Sequence, residues 1–280
     1  MRAFVVIAAA GDADVASDVL WGLGVRAVEE RSPRGDDGHV ELWTSVGDAD
    51  DAIDRAIAAL RGRWQHRVVD VDVVDEEAAQ RWRDFASPMW VDEQLVVVPA
   101  WHDASAVPAS VSIVRIEPGN AFGLGDHPTT SLSLQALARM IRSGRPIGDV
   151  IDVGCGTGVI AVTAAMLLGR PVRAIDVASA AVEATIDNAA RNGVDSLVMA
   201  DLADLGDIDV DYDVVVANIL APVLVSLADD LRRVTRHGGR LVISGILSAS
   251  HQHVLDALAP MQVISTTVMD GWACVELEHR

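Results

Sequence analysis

The stretch Val150-Ile151-Asp152-Val153-Gly154-Cys155-Gly156-Thr157-Gly158 limits this chain to a small set of folds. Its first four residues read as a strand buried on both faces. Glycines follow at 154, 156 and 158. Val159 to Leu168 is then apolar with no turn residue, which reads as a helix. Strand, glycine turn and helix make the front end of a nucleotide-binding α/β unit. The glycines let the backbone turn sharply and come close to a ligand. The helix start offers unpaired N–H groups to negative charge.

The spacing points away from a dinucleotide. That pattern needs Gly-x-Gly-x-x-Gly, and here Val159 stands where the third glycine belongs, with Gly158 one place early. Asp152 adds a carboxylate at the strand end, better suited to an amino-acid cation than to a pyrophosphate. Asp-x-Gly-x-Gly-x-Gly followed by an acid about 20 residues on is the pattern of S-adenosylmethionine enzymes, and the acid is Asp176, closing Val172-Arg173-Ala174-Ile175. Gly154 and Gly156 are expected to cradle the cofactor and Asp176 to take its two ribose hydroxyls. A glycine turn with no ligand is the alternative.

The rest of the carboxyl-terminal part completes an α/β sheet. Ala178 to Asn192 reads as a helix stopped by Asn192-Gly193. Ser196 to Met199 reads as a strand leading to Asp201, a polar residue placed to meet adenine. Tyr212 to Ala217 is an apolar strand ending at Asn218. Ligands sit outside the carboxyl ends of such strands, so Asn218 points at the site. There it either accepts a hydrogen bond from a reacting N–H or caps the next helix. Leu224 to Val234 reads as one helix, Leu241 to Ser244 as a strand after a turn at His237-Gly238-Gly239, and Ser248 as the cap of a helix to Leu258. Gln262 to Met269 and Trp272 to Glu278 are strands joined by Asp270-Gly271, a strong hairpin signal. The expected class is therefore α/β, a doubly wound methyltransferase sheet with a terminal antiparallel strand.

A small α+β domain precedes it. Residues 3–8, 25–30, 40–46 and 64–74 read as strands, with helices over 14–23 and 48–60, the second capped by Asp48. The order strand, helix, strand, strand, helix, strand is ferredoxin-like, a fold that by itself implies no activity. The expected domains are 1–74, ferredoxin-like and substrate-recognising; 75–90, a charged linker helix; and 91–280, the methyltransferase domain. Leu95 to Val98, ended by Pro99, and Val111 to Ile116 read as further strands.

Between them and the next helix lies Glu117-Pro118-Gly119-Asn120-Ala121-Phe122-Gly123-Leu124-Gly125-Asp126-His127-Pro128-Thr129-Thr130. One reading is a turn with an N-cap at Thr129 or Thr130. The other is a loop folded over the ligand, with Phe122 as a wall and a threonine hydroxyl on the ligand's amino-acid end. His127 alone makes a poor general base.

Composition narrows the partners. The net charge is −19, and all 22 basic residues are arginine. No local basic patch offsets the acidity, so no direct nucleic-acid contact is expected, and the field favours a basic partner. No apolar run is long enough to span a membrane. The two cysteines, Cys155 and Cys274, indicate neither a disulfide framework nor a metal site. A cytoplasmic monomer is expected.

With these stretches in place, the chain resembles the bacterial ribosomal-protein methyltransferases that modify the eleventh, stalk-base protein of the large subunit. The resemblance runs over nearly the whole chain. It is carried by Arg81-Trp82-Arg83 to Pro88-Met89, Leu95 to Trp101, Ala121 to Thr130, Asp152 to Gly158, Asp187 to Gly193, Val216-Ala217-Asn218-Ile219-Leu220 and Ser244-Gly245-Ile246-Leu247. It implies an S-adenosylmethionine-dependent N-methyltransferase acting on lysine and N-terminal amines of that protein. It also implies a small amino-terminal domain that recognises the substrate and swings on the linker. The family's cofactor contacts fall on Thr130, Gly154, Asp176 and Asn218; Leu124 and Asp126 depart from its pattern. The rival readings are a methyltransferase acting on another protein, a small-molecule amine or a nucleic acid, and a non-catalytic cofactor-binding module. Amine methyltransferases of nucleic acids often carry Asn-Pro-Pro-aromatic, which Asn218-Ile219-Leu220 lacks.

Overall fold

In the computed structural model, residues 2–21, 23, 25, 28–31, 38–46, 50–70, 87–117 and 127–280 are described, in two compact units, Met1–Phe85 and Ala86–Arg280. In the first unit, β1 (Arg2–Ala9), α1 (Ala13–Trp21), β2 (Val28–Arg31), β3 (His39–Thr44), α2 (Asp50–Leu60) and β4 (Gln65–Asp70) follow one another. The sheet order is β2-β3-β1-β4, with every pair antiparallel. That is the ferredoxin-like arrangement. The strand period of two sends Phe4, Val6 and Ala8 to one face of β1, and they meet Ala16 and Leu20 of α1 and Ile53, Ala56 and Leu60 of α2. Asp48, the expected cap of α2, and residues 75–86 of the expected linker lie outside the described residues.

The second unit begins earlier than the expected domain. Met89 and Trp90, assigned above to the linker, belong to β5 (Met89–Asp92), which pairs antiparallel with β6 (Leu95–Pro99). β7 (Ser112–Ile116) lies parallel to β6 on its other side. The run Met89-Trp90-Val91-Asp92 is short, follows Pro88 and leads into Glu93, so it carries little periodic signal.

The large sheet has seven strands in the order β10-β9-β8-β11-β12-β14-β13. They are β8 (Val150–Val153), β9 (Val172–Asp176), β10 (Val198–Leu202), β11 (Tyr212–Asn218), β12 (Thr235–Leu247), β13 (Gln262–Met269) and β14 (Trp272–Glu278). β10, β9, β8, β11 and β12 are parallel neighbours, and β14 runs antiparallel to both β12 and β13. Alternate residues of β8 enter different cores. Val150 packs with α3 (Pro128–Arg142), α4 (Val159–Leu168) and the end of α5 (Ser179–Arg191); Ile151 and Val153 pack with α6 (Ala221–Ser226), α7 (Ala228–Val234) and α8 (Gln252–Ala257). Burial on both faces explains why β8 and β11 read as near-continuous apolar runs.

Three local expectations change. The single helix expected over 224–234 is two: Pro222 fits the first turn of a helix starting at Ala221, and Leu227 leaves helical geometry at φ −96°, ψ 6°. The strand expected over 241–244 runs from Thr235 to Leu247 instead. The Gly238-Gly239 backbone pairs with the chain terminus, Gly238 N donating to His279 O at 2.6 Å and His279 N to Gly239 O at 3.2 Å. Ser248 does not cap α8. His251 occupies that position without a side-chain cap bond, and its Nδ1 donates to the Ser248 carbonyl at 2.9 Å.

Candidate active site

Strand order reverses direction between β8 and β11, because β9 and β10 continue on one side of β8 and β11 and β12 on the other. The glycine turn leaves β8 and Asn218 ends β11, so both stand at this switch point, where α/β sheets bind ligands.

The turn is built for a close approach. Gly154 has φ 71°, and a Cβ there would lie 2.5 Å from Ile219 Cγ2. Gly158 has φ 77° and would meet the Thr185 backbone at 2.9 Å. Gly158 is also the N-cap of α4 and supplies no side-chain acceptor. Asp152 fills that need from the strand: its Oδ2 accepts from Ala161 N at 3.1 Å, in the first turn. Its Oδ1 is buried with no partner among the described residues. Burial raises the Asp152 carboxyl to about 7, and the nearby Asp176 charge adds to the rise against the Ala161 bond.

Asp176 ends β9 and faces the turn. Its Oδ2 accepts from Gly156 N at 3.1 Å and its Oδ1 from Ala178 N at 2.9 Å. A carboxylate offers about four acceptor sites, so two N–H partners leave capacity for hydroxyl donors. The Gly156 bond ties the two halves of the motif together across 20 positions.

Asn218 and Thr130 come together from distant parts of the chain. Asn218 Nδ2 donates to Thr130 Oγ1 at 3.3 Å, while Asn218 Oδ1 is buried without a partner among the described residues. Asn218 does not cap the following helix; Leu220 does, with no side-chain bond. Thr130 is fully buried in the first turn of α3. The N-cap of α3 is His127, not Thr129 or Thr130. Pro128 disfavours helical geometry in the residue before it, and His127 is extended at φ −74°, ψ 137°. The His127 ring pairs with Thr129 Oγ1 at 2.8 Å and meets the Trp272 ring edge-on, centroids 4.9 Å apart.

Asp201 stands apart from this cluster. Its carboxylate accepts from Arg173 Nε at 3.0 Å, and Arg173 also reaches the Tyr212 hydroxyl at 3.3 Å. The expected adenine contact therefore has to compete with an ion pair. Phe122 lies outside the described residues. Cys155 is buried, its thiol pushed up to about 12 by burial, so it supplies no thiolate at neutral pH. Among the described residues no cluster of three or more histidine, cysteine or acidic side chains could hold a metal, and no helix is long and apolar enough to cross a membrane.

Sequence reasoning passed over Thr185, Asn188 and Trp272. Thr185 Oγ1 donates to Gly156 O at 3.2 Å from α5. The fully buried Asn188 gives Nδ2 to Thr157 O and Glu117 O, both at 2.9 Å, and accepts from Glu117 N at 2.9 Å. A polar stripe at Glu183, Asp187, Asn188 and Asn192 resembles any solvated helix face, so nothing in its period marks Asn188 as buried.

The unpartnered Asn218 Oδ1, the unpartnered Asp152 Oδ1 and a glycine cradle with no room for Cβ atoms suit a ligand that carries a cation and lies against backbone. The family model of ribosomal protein L11 methyltransferase (PrmA) matches residues 27–280. The chain belongs to this family. It is 35% identical over 270 residues to the ribosomal protein L11 methyltransferase of Marinobacter nauticus, covering 90% of this chain and 89% of that one. With an Exiguobacterium ribosomal protein L11 methyltransferase it shares 38% identity over 211 residues, 74% of this chain and 66% of the other. The crystal structure of ribosomal protein L11 methylase from Lactobacillus delbrueckii subsp. bulgaricus superposes with a TM-score of 0.64 at 29% identity, covering 70% of this chain and 100% of that one. The fold is that of S-adenosylmethionine-dependent methyltransferases, and S-adenosylmethionine is the cofactor that the glycine turn and Asp176 fit.

Proposed function

We propose that this methyltransferase modifies lysine side chains and the N-terminal amine of ribosomal protein L11, and that Asn218 aims the amine. The carrying observation is the buried Asn218 Oδ1 at the carboxyl end of β11, unpartnered among the described residues. An acceptor there takes an N–H of the incoming amine and turns its lone pair toward the methyl. S-adenosylmethionine, when bound, supplies the electrophilic sulfonium methyl. The amine nitrogen forms the new N–C bond as the S–C bond breaks, and that pair stays on sulfur. The amine proton leaves to water, since no described side chain is placed as a general base.

The amine must be neutral to attack. A free lysine, pKa about 10.4, is neutral in roughly one of several thousand molecules at pH 7. Burial at the carboxyl ends of β8 and β11 favours the neutral form. Thr130 fixes the Asn218 amide, Gly154 and Gly156 receive the cofactor's methionine part, and Asp176 its ribose. Asp201 is a weaker adenine contact because Arg173 holds it. Phe122 is proposed as an apolar wall. The amino-terminal unit, with its own core and no catalytic cluster in its sequence, recognises the protein substrate. The enzyme acts in the cytoplasm as a monomer without touching nucleic acid.

The test is incubation with labelled S-adenosylmethionine and the proteins of the large ribosomal subunit. Label in ribosomal protein L11, at lysine and the N-terminal amine, is the expected result. The enzyme's own 280 residues contain no lysine and add no lysine background. Label confined to another protein, to RNA or to nothing overturns the proposal.

A further inference from the structure

We infer that Trp272 holds the substrate ammonium as methyl groups accumulate on it, and so governs how many are added. The inference rests on the amine-methylation reading above. Three adjacent strands carry it. In β14 the α3-facing side chains are Trp272, against His127, Cys274, in the shared core, and Glu276, which pairs with Arg139 of α3. In β11 the same face carries Val214 and Val216, then Asn218. In β12 it carries Val242, then Ser244, which is in register with Asn218 and donates to Ala273 O at 3.1 Å. Asn218 and Trp272 thus stand on one face at the carboxyl end, on strands two spacings apart, with Trp272 level with Leu247, three residues beyond Ser244 on β12.

One helix start spans that gap. Thr130 of α3 bonds Asn218, and His127, three residues earlier, fixes the Trp272 ring edge-on. Trp272 is only half-buried, whereas Ala273 and Val275 beside it are fully buried. The same helix start thus touches both Asn218 and a half-buried tryptophan on the same sheet face.

The two contacts respond oppositely to methylation. Each transfer forms an N–C bond, breaks an S–C bond and leaves an ammonium that loses a proton to water before the next attack. Every methyl removes one N–H that Asn218 could accept. Attraction of an alkylammonium to an indole ring needs no N–H and is strong where water is excluded. Control of the nitrogen therefore passes from Asn218 to Trp272 as methyls are added.

The experiment measures mono-, di- and trimethylated ribosomal protein L11 by intact mass against time. Three altered enzymes are compared with the unaltered one: Trp272→Phe, Trp272→Leu, and one with fluorinated tryptophan at 272, which weakens the ring's attraction while nearly keeping its shape. Expected for Trp272→Leu is a first transfer within about threefold of normal and later transfers slowed about tenfold or more, with monomethyl product accumulating. Trp272→Phe should recover most of the later rate, and fluorination should slow only the later steps. Unchanged product distributions overturn the inference, as does equal slowing of all steps. An unaltered enzyme that stops at one methyl overturns it too, while one that methylates no amine removes the reading beneath it. If Trp272→Leu fails to fold, the fluorinated enzyme decides.

Discussion

Asn218 and Thr130, 88 positions apart, are joined by a single hydrogen bond from Nδ2 to Oγ1 at 3.3 Å. That bond fixes which way the amide points. With Nδ2 committed to Thr130, Oδ1 is left facing the site as an acceptor. Replacing Asn218 by Ala should slow single-turnover methyl transfer about a hundredfold, the usual scale for one well-placed hydrogen bond in a desolvated site. Cofactor affinity should change far less. Because Leu220 caps the next helix, the stability loss should be only about 1 kcal/mol, from the lost Thr130 bond. Melting temperature and rate measured on one preparation separate these effects. A normal rate removes the amine role.

Thr130→Val tests the same bond from its other end. The methyl keeps the shape and removes the acceptor, so the Asn218 amide is free to turn. Turnover should fall about tenfold, with a smaller effect on cofactor binding, since only orientation is lost. Equal losses in both would place Thr130 on the cofactor instead.

Asp176 touches the turn and is the residue proposed to take the ribose. Asp176→Ala should weaken S-adenosylmethionine binding by at least ~3 kcal/mol, from two charge-assisted bonds. The variant also strips Gly156 N and Ala178 N of their acceptor, so the turn itself loosens. Asp176→Asn can still accept from one of the two N–H groups and should lie between. Calorimetry giving unchanged affinity for both variants contradicts the assignment.

The elements legible in sequence were those with strong periodic or turn signals. Gln262–Met269 and Trp272–Glu278 match the expected strands residue for residue, because Asp270-Gly271 fixes the hairpin; Asp270 has φ 48° and Gly271 φ 82°. The switch-point cluster was legible because strand ends and glycines mark it. Asn188 was not, since its role depends on which turn lies across from it, and that is a property of packing. Likewise the N-cap at His127 follows from Pro128, a backbone constraint that the neighbouring Thr129 and Thr130 obscured as better capping side chains.

The two units predict a separable function. A shortened chain beginning at Ala86 keeps the whole seven-stranded sheet and its two cores, while Phe4, Leu20 and Leu60 belong to a core of their own. It should bind S-adenosylmethionine within a few-fold of normal and lose most methylation of intact ribosomal protein L11. Full-rate methylation of the intact substrate would show that residues 1–85 do not recognise it.

Asp152 predicts how the site answers to pH. An unfolded chain ionises this carboxyl near 3.8, whereas in the fold burial keeps its proton until about pH 7. Below pH 3.8 both states are neutral and the group costs nothing. As pH rises from there to about 7, the unfolded state loses its proton and the folded state does not, so stability falls across that window. The full difference is roughly 4 kcal/mol, reached above pH 7. Asp152→Asn removes the titration while leaving an oxygen to accept from Ala161 N. Its stability relative to the unaltered enzyme should therefore rise between pH 4 and pH 8. A cationic ligand beside Asp152 reverses the balance by favouring the carboxylate, so S-adenosylmethionine should bind more tightly as pH rises through 7 and release a proton near pH 6. Denaturant titrations at several pH values, and calorimetry in buffers of different ionisation heat, measure the two effects. Parallel pH–stability curves for the two proteins, with no proton released on binding, would show that Asp152 is ionised in the fold throughout.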